Sequence, residues 1–211
     1  MKRRAVLSNL GLVVAVSLGG CSGDDSPTDG KTGDGETTTE SPPSIAERFD
    51  CESASRPMPD VPAGVEHEIE SDGETTVYES VGSVAYPSPP TSLDDETARS
   101  FVAEYERAYQ QNEYAERHGT DVVELDVMVE SVETFDFHDD IRTVRVDFAV
   151  HFVVVSDGGV VMTEPAGEAA VYGLDSSGLV RAETAYRGNV DGSVREATPD
   201  PIQDGTLLVC F

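Results

Sequence analysis

Apolar and polar residues alternate most regularly between Ile141 and Ser156, where Val144, Val146, Phe148, Val150, Phe152 and Val154 take every second position. A period of two predicts a β-strand with this set on one face and Arg145, Asp147 and His151 on the other. Asp121 to Phe137 alternates in the same way, with Val123, Leu125, Val127 and Val129 on one side. Ser156-Asp157-Gly158-Gly159 is a hairpin signal. Val160 to Leu174 continues as strand, and its Pro165 and Gly167 predict a bulge or an edge position. Asp175-Ser176-Ser177-Gly178 turns the chain into Leu179 to Arg187, and Thr206 to Phe211 reads as the last strand.

The period changes between Pro90 and Gly119. Ala98, Phe101, Val102, Tyr105, Tyr109 and Asn112 recur at helical spacing and define one inner face. Thr91 or Ser92 can cap this helix, Asp94, Asp95 and Glu96 suit its positive end, and Gly119 stops it. Asp95–Arg99 and Glu113–Arg117 are supporting i,i+4 pairs on the outer side. Ahead of the helix the chain is irregular, with short strands expected in Val65 to Ile69 and Thr76 to Tyr86.

One amphipathic helix followed by an antiparallel meander, with no crossover helices, predicts an α+β fold. The expected architecture is the helix packed on a curved antiparallel sheet of four to six strands, in a single domain over residues 45–211. In element order, residues 92–187 resemble the cystatin-like and nuclear transport factor 2-like group. That resemblance implies a curved sheet wrapping the helix, and a single helix favours the simpler cystatin-like arrangement.

The first forty-four residues belong to no such pattern. Met1 to Arg4 is basic and Ala5 to Gly20 is mostly apolar, the parts of an export signal. Those sixteen residues fall short of the about 20 that a membrane span needs, so an uncleaved anchor is the weaker reading. Arg3-Arg4 ahead of the apolar run resembles a twin-arginine signal. Leu18-Gly19-Gly20-Cys21 resembles a bacterial or archaeal lipobox, which implies cleavage before Cys21 and a lipid on its thiol. The alternative is an ordinary secretory signal with an incidental cysteine. Ser22 to Ser44 holds no large apolar residue, cannot bury a core, and is expected to be a disordered acidic tether. Composition alone leaves open whether Thr37, Thr38 and Thr39 carry sugars.

Charge narrows the partners. The chain carries −27, and loss of residues 1–20 removes Lys2, Arg3 and Arg4 but no acid, which leaves −30. Such a surface repels phosphate, so nucleic acid and anionic headgroups are not expected partners. Together with the signal, the acidity resembles that of surface lipoproteins of salt-loving archaea. The expected location is the outer face of the cytoplasmic membrane, with the lipid on Cys21 as the membrane contact. Cations or a basic partner would be attracted, but a solvated halophilic coat accounts for the same acids.

With Cys21 lipidated, Cys51 and Cys210 form an even pair in an oxidising compartment and are expected to bridge; the alternative is two reduced thiols. No metal site or cofactor is expected. His138 with Asp136, Asp139 and Asp140 has ligand-type groups for a divalent cation, but the chain must turn there and a solvated hairpin is the expected reading. Asp147 and His151 share a strand face about 13 Å apart, too far to touch. A pocket between helix and sheet would need that face to meet Tyr105 or Tyr109. The leading expectation is a non-enzymatic module that binds a small ligand or a surface protein. The alternative is a small-molecule enzyme using Tyr105, Tyr109, Asp147 and His151. A solute-binding transporter subunit lacks the second lobe that would close on its solute.

Overall fold

The computed structural model describes residues 43–189 and 192–211. Arg3, Arg4, Cys21 and nearly all of the expected tether lie outside the described residues. The chain enters through a single helical turn, α1 (Ile45–Arg48), and a hairpin of β1 (Glu66–Ser71) and β2 (Glu74–Glu79). The long helix α2 (Asp95–His118) follows, then β3 (Val122–Phe135), β4 (Arg142–Ser156), β5 (Gly159–Met162), β6 (Ala166–Leu174) and β7 (Gly178–Thr184). A further turn, α3 (Pro201–Asp204), leads into β8 (Thr206–Cys210). The order β3-β4-β6-β7-β8, with β5 paired to β4, makes a six-stranded antiparallel sheet. This is an α+β fold with one long helix on the sheet.

The β1–β2 and β4–β5 turns share one cause. Asp72-Gly73 and Asp157-Gly158 each place both residues at positive φ, the conformation that matches the twist of the flanking strands. Strand β2 stops at Glu79, earlier than its alternation predicts. Gly82 turns at φ +73°, and Asn112 of α2 takes both backbone groups of Val84, at 2.9 and 3.0 Å. A side chain of the helix thus replaces a strand neighbour.

Helix α2 is capped by Asp94 rather than by Thr91 or Ser92. The Asp94 carboxylate accepts the Thr97 amide at 2.9 Å and the Ser92 hydroxyl at 2.6 Å. A carboxylate also suits the positive helix end, so the serine serves the cap instead of being it. Glu113 pairs with Arg117 as its spacing predicts. Arg99 instead donates to the Asp95 carbonyl at 3.1 Å, and the Asp95 carboxylate stands 3.7 Å from Arg142 of β4.

Ala98, Phe101, Val102 and Tyr105 pack on Val144, Val146, Phe148, Val150, Tyr172, Leu174, Leu179 and Leu208. Burial of each large side chain here contributes about 1.5–3 kcal/mol. Register shifts at Val122/Glu124 and Val129/Ser131 keep Leu125, Val127, Val129 and Val132 turned toward this core. Pro165 acts as its residue type predicts: the ladder breaks between β5 and β6, and Thr163 bonds Phe152 across the gap.

The far face of the sheet carries a salt bridge, Arg145 to Asp147 at 2.8 Å, and the chain covers it. Arg145 and Asp147 are 0% and 1% exposed. The chain after β7 folds back over them: Arg145 donates to the Ala185 carbonyl at 2.7 Å and to Thr198 at 3.2 Å. Ile45, Ile141, Val180 and Leu207 form a second cluster beneath α1 and α3. The turn after β6 anchors this layer. Asp175 accepts the amides of Ile45, Ser177 and Gly178, at 2.7, 2.7 and 3.0 Å. Cys51 and Cys210 are joined in a disulfide, with their Cα atoms 5.7 Å apart, and the bond ties the entering segment to β8.

Candidate functional site

Tyr172 of β6 and Arg181 of β7 are paired in register and face α2. Glu106 meets them from the row Val102–Glu106–Gln110, which runs one turn at a time along the inner side of the helix. Arg181 grips the Glu106 carboxylate with a two-pronged fork, Nη2 at 3.0 Å and Nε at 3.2 Å. The Tyr172 hydroxyl donates to the same carboxylate, and Gln110 Nε2 donates to it at 2.7 Å. The acid is fully buried and fully satisfied. Burial and the Glu106 charge push the Tyr172 phenol well above its usual range. Burial by itself would lower the Arg181 pKa, but Glu106 and Tyr172 carry it upward, so the guanidinium stays charged.

Two adjoining cavities open from this cluster, about 700 Å³ and about 230 Å³ in volume. Glu113, Arg117, Arg181 and Glu183 line both. The larger is walled by Arg56 and Tyr109 and reaches Thr206 of β8; the smaller reaches Glu168 and Tyr186. Together they form a polar cleft between the C-terminal half of α2 and strands β6 to β8. At its floor the Arg181 guanidinium lies over the Tyr109 ring, 4.3 Å from the centroid. Its Nη1 has no hydrogen-bond partner among the described residues. The Glu183 carboxylate stands 3.7 Å from it, beyond hydrogen-bond range. Partial burial, then the charges of Glu113 and Glu106, raise the Glu168 carboxyl above its ordinary value.

The four residues of the expected pocket do not converge. Tyr109 lines the cleft. Tyr105 lies in the core beside it, its ring 4.7 Å from that of Tyr86 and its hydroxyl 3.1 Å from Arg56. Asp147 and His151 project from the far face of β4. Asp147 takes a two-pronged fork from Arg145, at 2.8 and 3.1 Å, and the Arg187 amide at 2.8 Å. Burial would raise its pKa, but these bonds hold it below the usual carboxylate value. His151 Nδ1 bonds the Thr163 carbonyl at 2.6 Å and Nε2 stands 3.7 Å from Glu124. His138 pairs with Asp200, 3.0 Å from each carboxylate oxygen, rather than with its neighbours in sequence.

Glu106 and Arg181 went unmarked in the sequence although each carries a readable signal. Glu106 follows Ala98 and Val102 at four-residue steps, and Arg181 stands two residues from the core residue Leu179 on one strand face. A charge on an apolar stripe requires a partner when buried, and here each supplies the other. No protein-family model, curated protein or solved structure matches the chain, so the site is read from its own geometry. Among the described residues no helix is long and apolar enough to cross a membrane.

Proposed function

We propose that the protein is a lipid-anchored binding module on the outer face of the cytoplasmic membrane, exported by a twin-arginine signal and tethered through Cys21. Its ligand is a small polar molecule held in the cleft between α2 and β6 to β8. The observation that carries this reading is Arg181: a guanidinium fixed by Glu106 and Tyr109, with one edge turned to a cavity of about 700 Å³. A group held this rigidly loses little freedom on binding, the usual condition for a pre-formed ligand site. The address rests on the residues themselves, Arg3-Arg4 and Leu18-Gly19-Gly20-Cys21. Catalysis by Asp147, His151 and a tyrosine would need those groups around one ligand, and they stand on opposite sides of the sheet.

Two measurements test the reading. Intact mass spectrometry of the membrane-extracted protein should give a chain that starts at Cys21 and bears lipid, and Cys21→Ser should leave the membrane fraction. Persistent anchoring of that variant would sink the lipoprotein assignment. Small molecules released on denaturing the extracted protein should be depleted by Thr206→Trp, which fills the cleft from an exposed position on β8. An unchanged set would move the ligand elsewhere and favour a protein partner.

A further inference from the structure

We propose that the cleft receives a small zwitterion: its carboxylate takes the Nη1 edge of Arg181, and its primary ammonium sits among Glu113, Glu168 and Glu183. This rests on the cleft being the binding site and names the chemistry that fits it. Arg181 is held by its neighbours on several sides. Its side chain is 7% exposed, Nε and Nη2 are spent on Glu106, and the ring of Tyr109 supports its face. Nη1 makes no hydrogen bond among the described residues, the Glu183 carboxylate standing 3.7 Å away, and a planar guanidinium edge is matched best by a carboxylate.

Charge decides what else the ligand must carry. Arg181 is already neutralised by Glu106, so the remaining lining sets the field. Glu113, Glu116, Glu183 and Asp204 line the larger cavity against Arg56 and Arg117, and Glu168 adds to the acids of the smaller one. A ligand with a carboxylate alone would meet this surplus of negative charge and be repelled. A ligand with a cation alone would satisfy the acids but leave the buried guanidinium edge without an acceptor, at the cost of the water that reached it. Only a molecule bearing both charges answers both demands. Carboxylate acceptors favour a primary ammonium, with its three N–H donors, over a quaternary one. Glu113 keeps an oxygen for this purpose, since Arg117 engages only the other. Free amino acids and short peptides carry this pair of groups at different separations, and the cavity volume admits either.

The test uses the mature, membrane-extracted protein and isothermal titration calorimetry. L-alanine and tri-L-alanine distinguish the two sources; the N-acetyl and C-amide derivatives of each remove one charge at a time. One of the two zwitterions should bind, and acetylation or amidation should each weaken it by about tenfold or more. Glu168→Gln/Glu183→Gln, two changes on the rim, should weaken the zwitterion and the amide while sparing the acetyl derivative. Arg181→Lys keeps a charge opposite Glu106 but loses the planar edge, and should weaken the zwitterion and the acetyl derivative. If that variant fails to fold, the rim variant still decides. The proposal is overturned if neither zwitterion binds, or if a blocked derivative binds as tightly as its parent. Either result leaves the cleft itself standing, provided Thr206→Trp still depletes the bound small molecules.

Discussion

Glu106 and Arg181, 75 residues apart, hold each other through two hydrogen bonds of 3.0 and 3.2 Å beneath the cleft. The pair sits where α2 would otherwise close on the sheet with apolar side chains. Its cost in desolvation is offset only because Tyr172 and Gln110 satisfy what the fork leaves of the carboxylate. Removing one partner strands a buried charge. Arg181→Met is expected to destabilise the protein by about 3–5 kcal/mol, and Glu106→Met/Arg181→Met to recover much of that loss. Urea-denaturation midpoints of the two variants measure the difference; equal losses would show that packing, not charge, dominates at this position.

Gly178 lies against the start of the domain. A Cβ there would stand 2.8 Å from the Ile45 side chain and 3.0 Å from the Val209 carbonyl. Ile45 is fully buried and its amide is bound by Asp175, so it has no room to retreat. Gly178→Ala should cost about 1–3 kcal/mol by overpacking. Ile45→Ala/Gly178→Ala should suffer less than the two single losses added together, a coupling that thermal melts of the three variants can read.

The Cys51–Cys210 disulfide spans 159 residues and joins the entering segment to β8. Ser55, Arg56 and Pro57, which line the cleft, follow directly on that segment. Cys51→Ser/Cys210→Ser should lower stability by about 2–5 kcal/mol. Amide exchange should quicken first between Cys51 and Pro57, because Ser55 otherwise donates to the Leu207 carbonyl at 2.9 Å. Uniform quickening through α2 as well would show that the bridge supports the whole fold rather than one wall.

Asp94 supplies a pH dependence of definite sign. Hydrogen bonds from Ser92 and Thr97 lower its carboxyl from 3.8 to about 2. Because the folded value lies below the unfolded one, the cap stabilises fully above pH 3.8 and its contribution fades as pH falls toward about 2. The stability gap between the native protein and Asp94→Ala should therefore be constant near neutrality and narrow across that interval. A gap that stays constant to the acid end would mean that the carboxylate is not the cap.

The sequence by itself determined the main elements. Alternation marked β4 face by face, helical spacing marked the body of α2 and Gly119 its stop, and Asp157-Gly158 and Pro165 marked where the ladder turns and breaks. These are local effects: a two- or 3.6-residue period and the φ preferences of Asp, Gly and Pro act over a few neighbours, so they can be read without knowing the fold. An even count of two cysteines in the domain likewise limited the disulfide to one pair. Only the tertiary structure decided which charges are buried and which partners they take. Arg145 and Asp147 share a strand with His151, yet they are enclosed because a segment some 40 residues later folds over them. Glu106 stood on the apolar stripe of α2, but only the sheet supplied its partner, Arg181 of β7. Which charge a strand carries to a helix depends on sheet order and register, and those are settled by the packing of the whole chain rather than by any stretch of it.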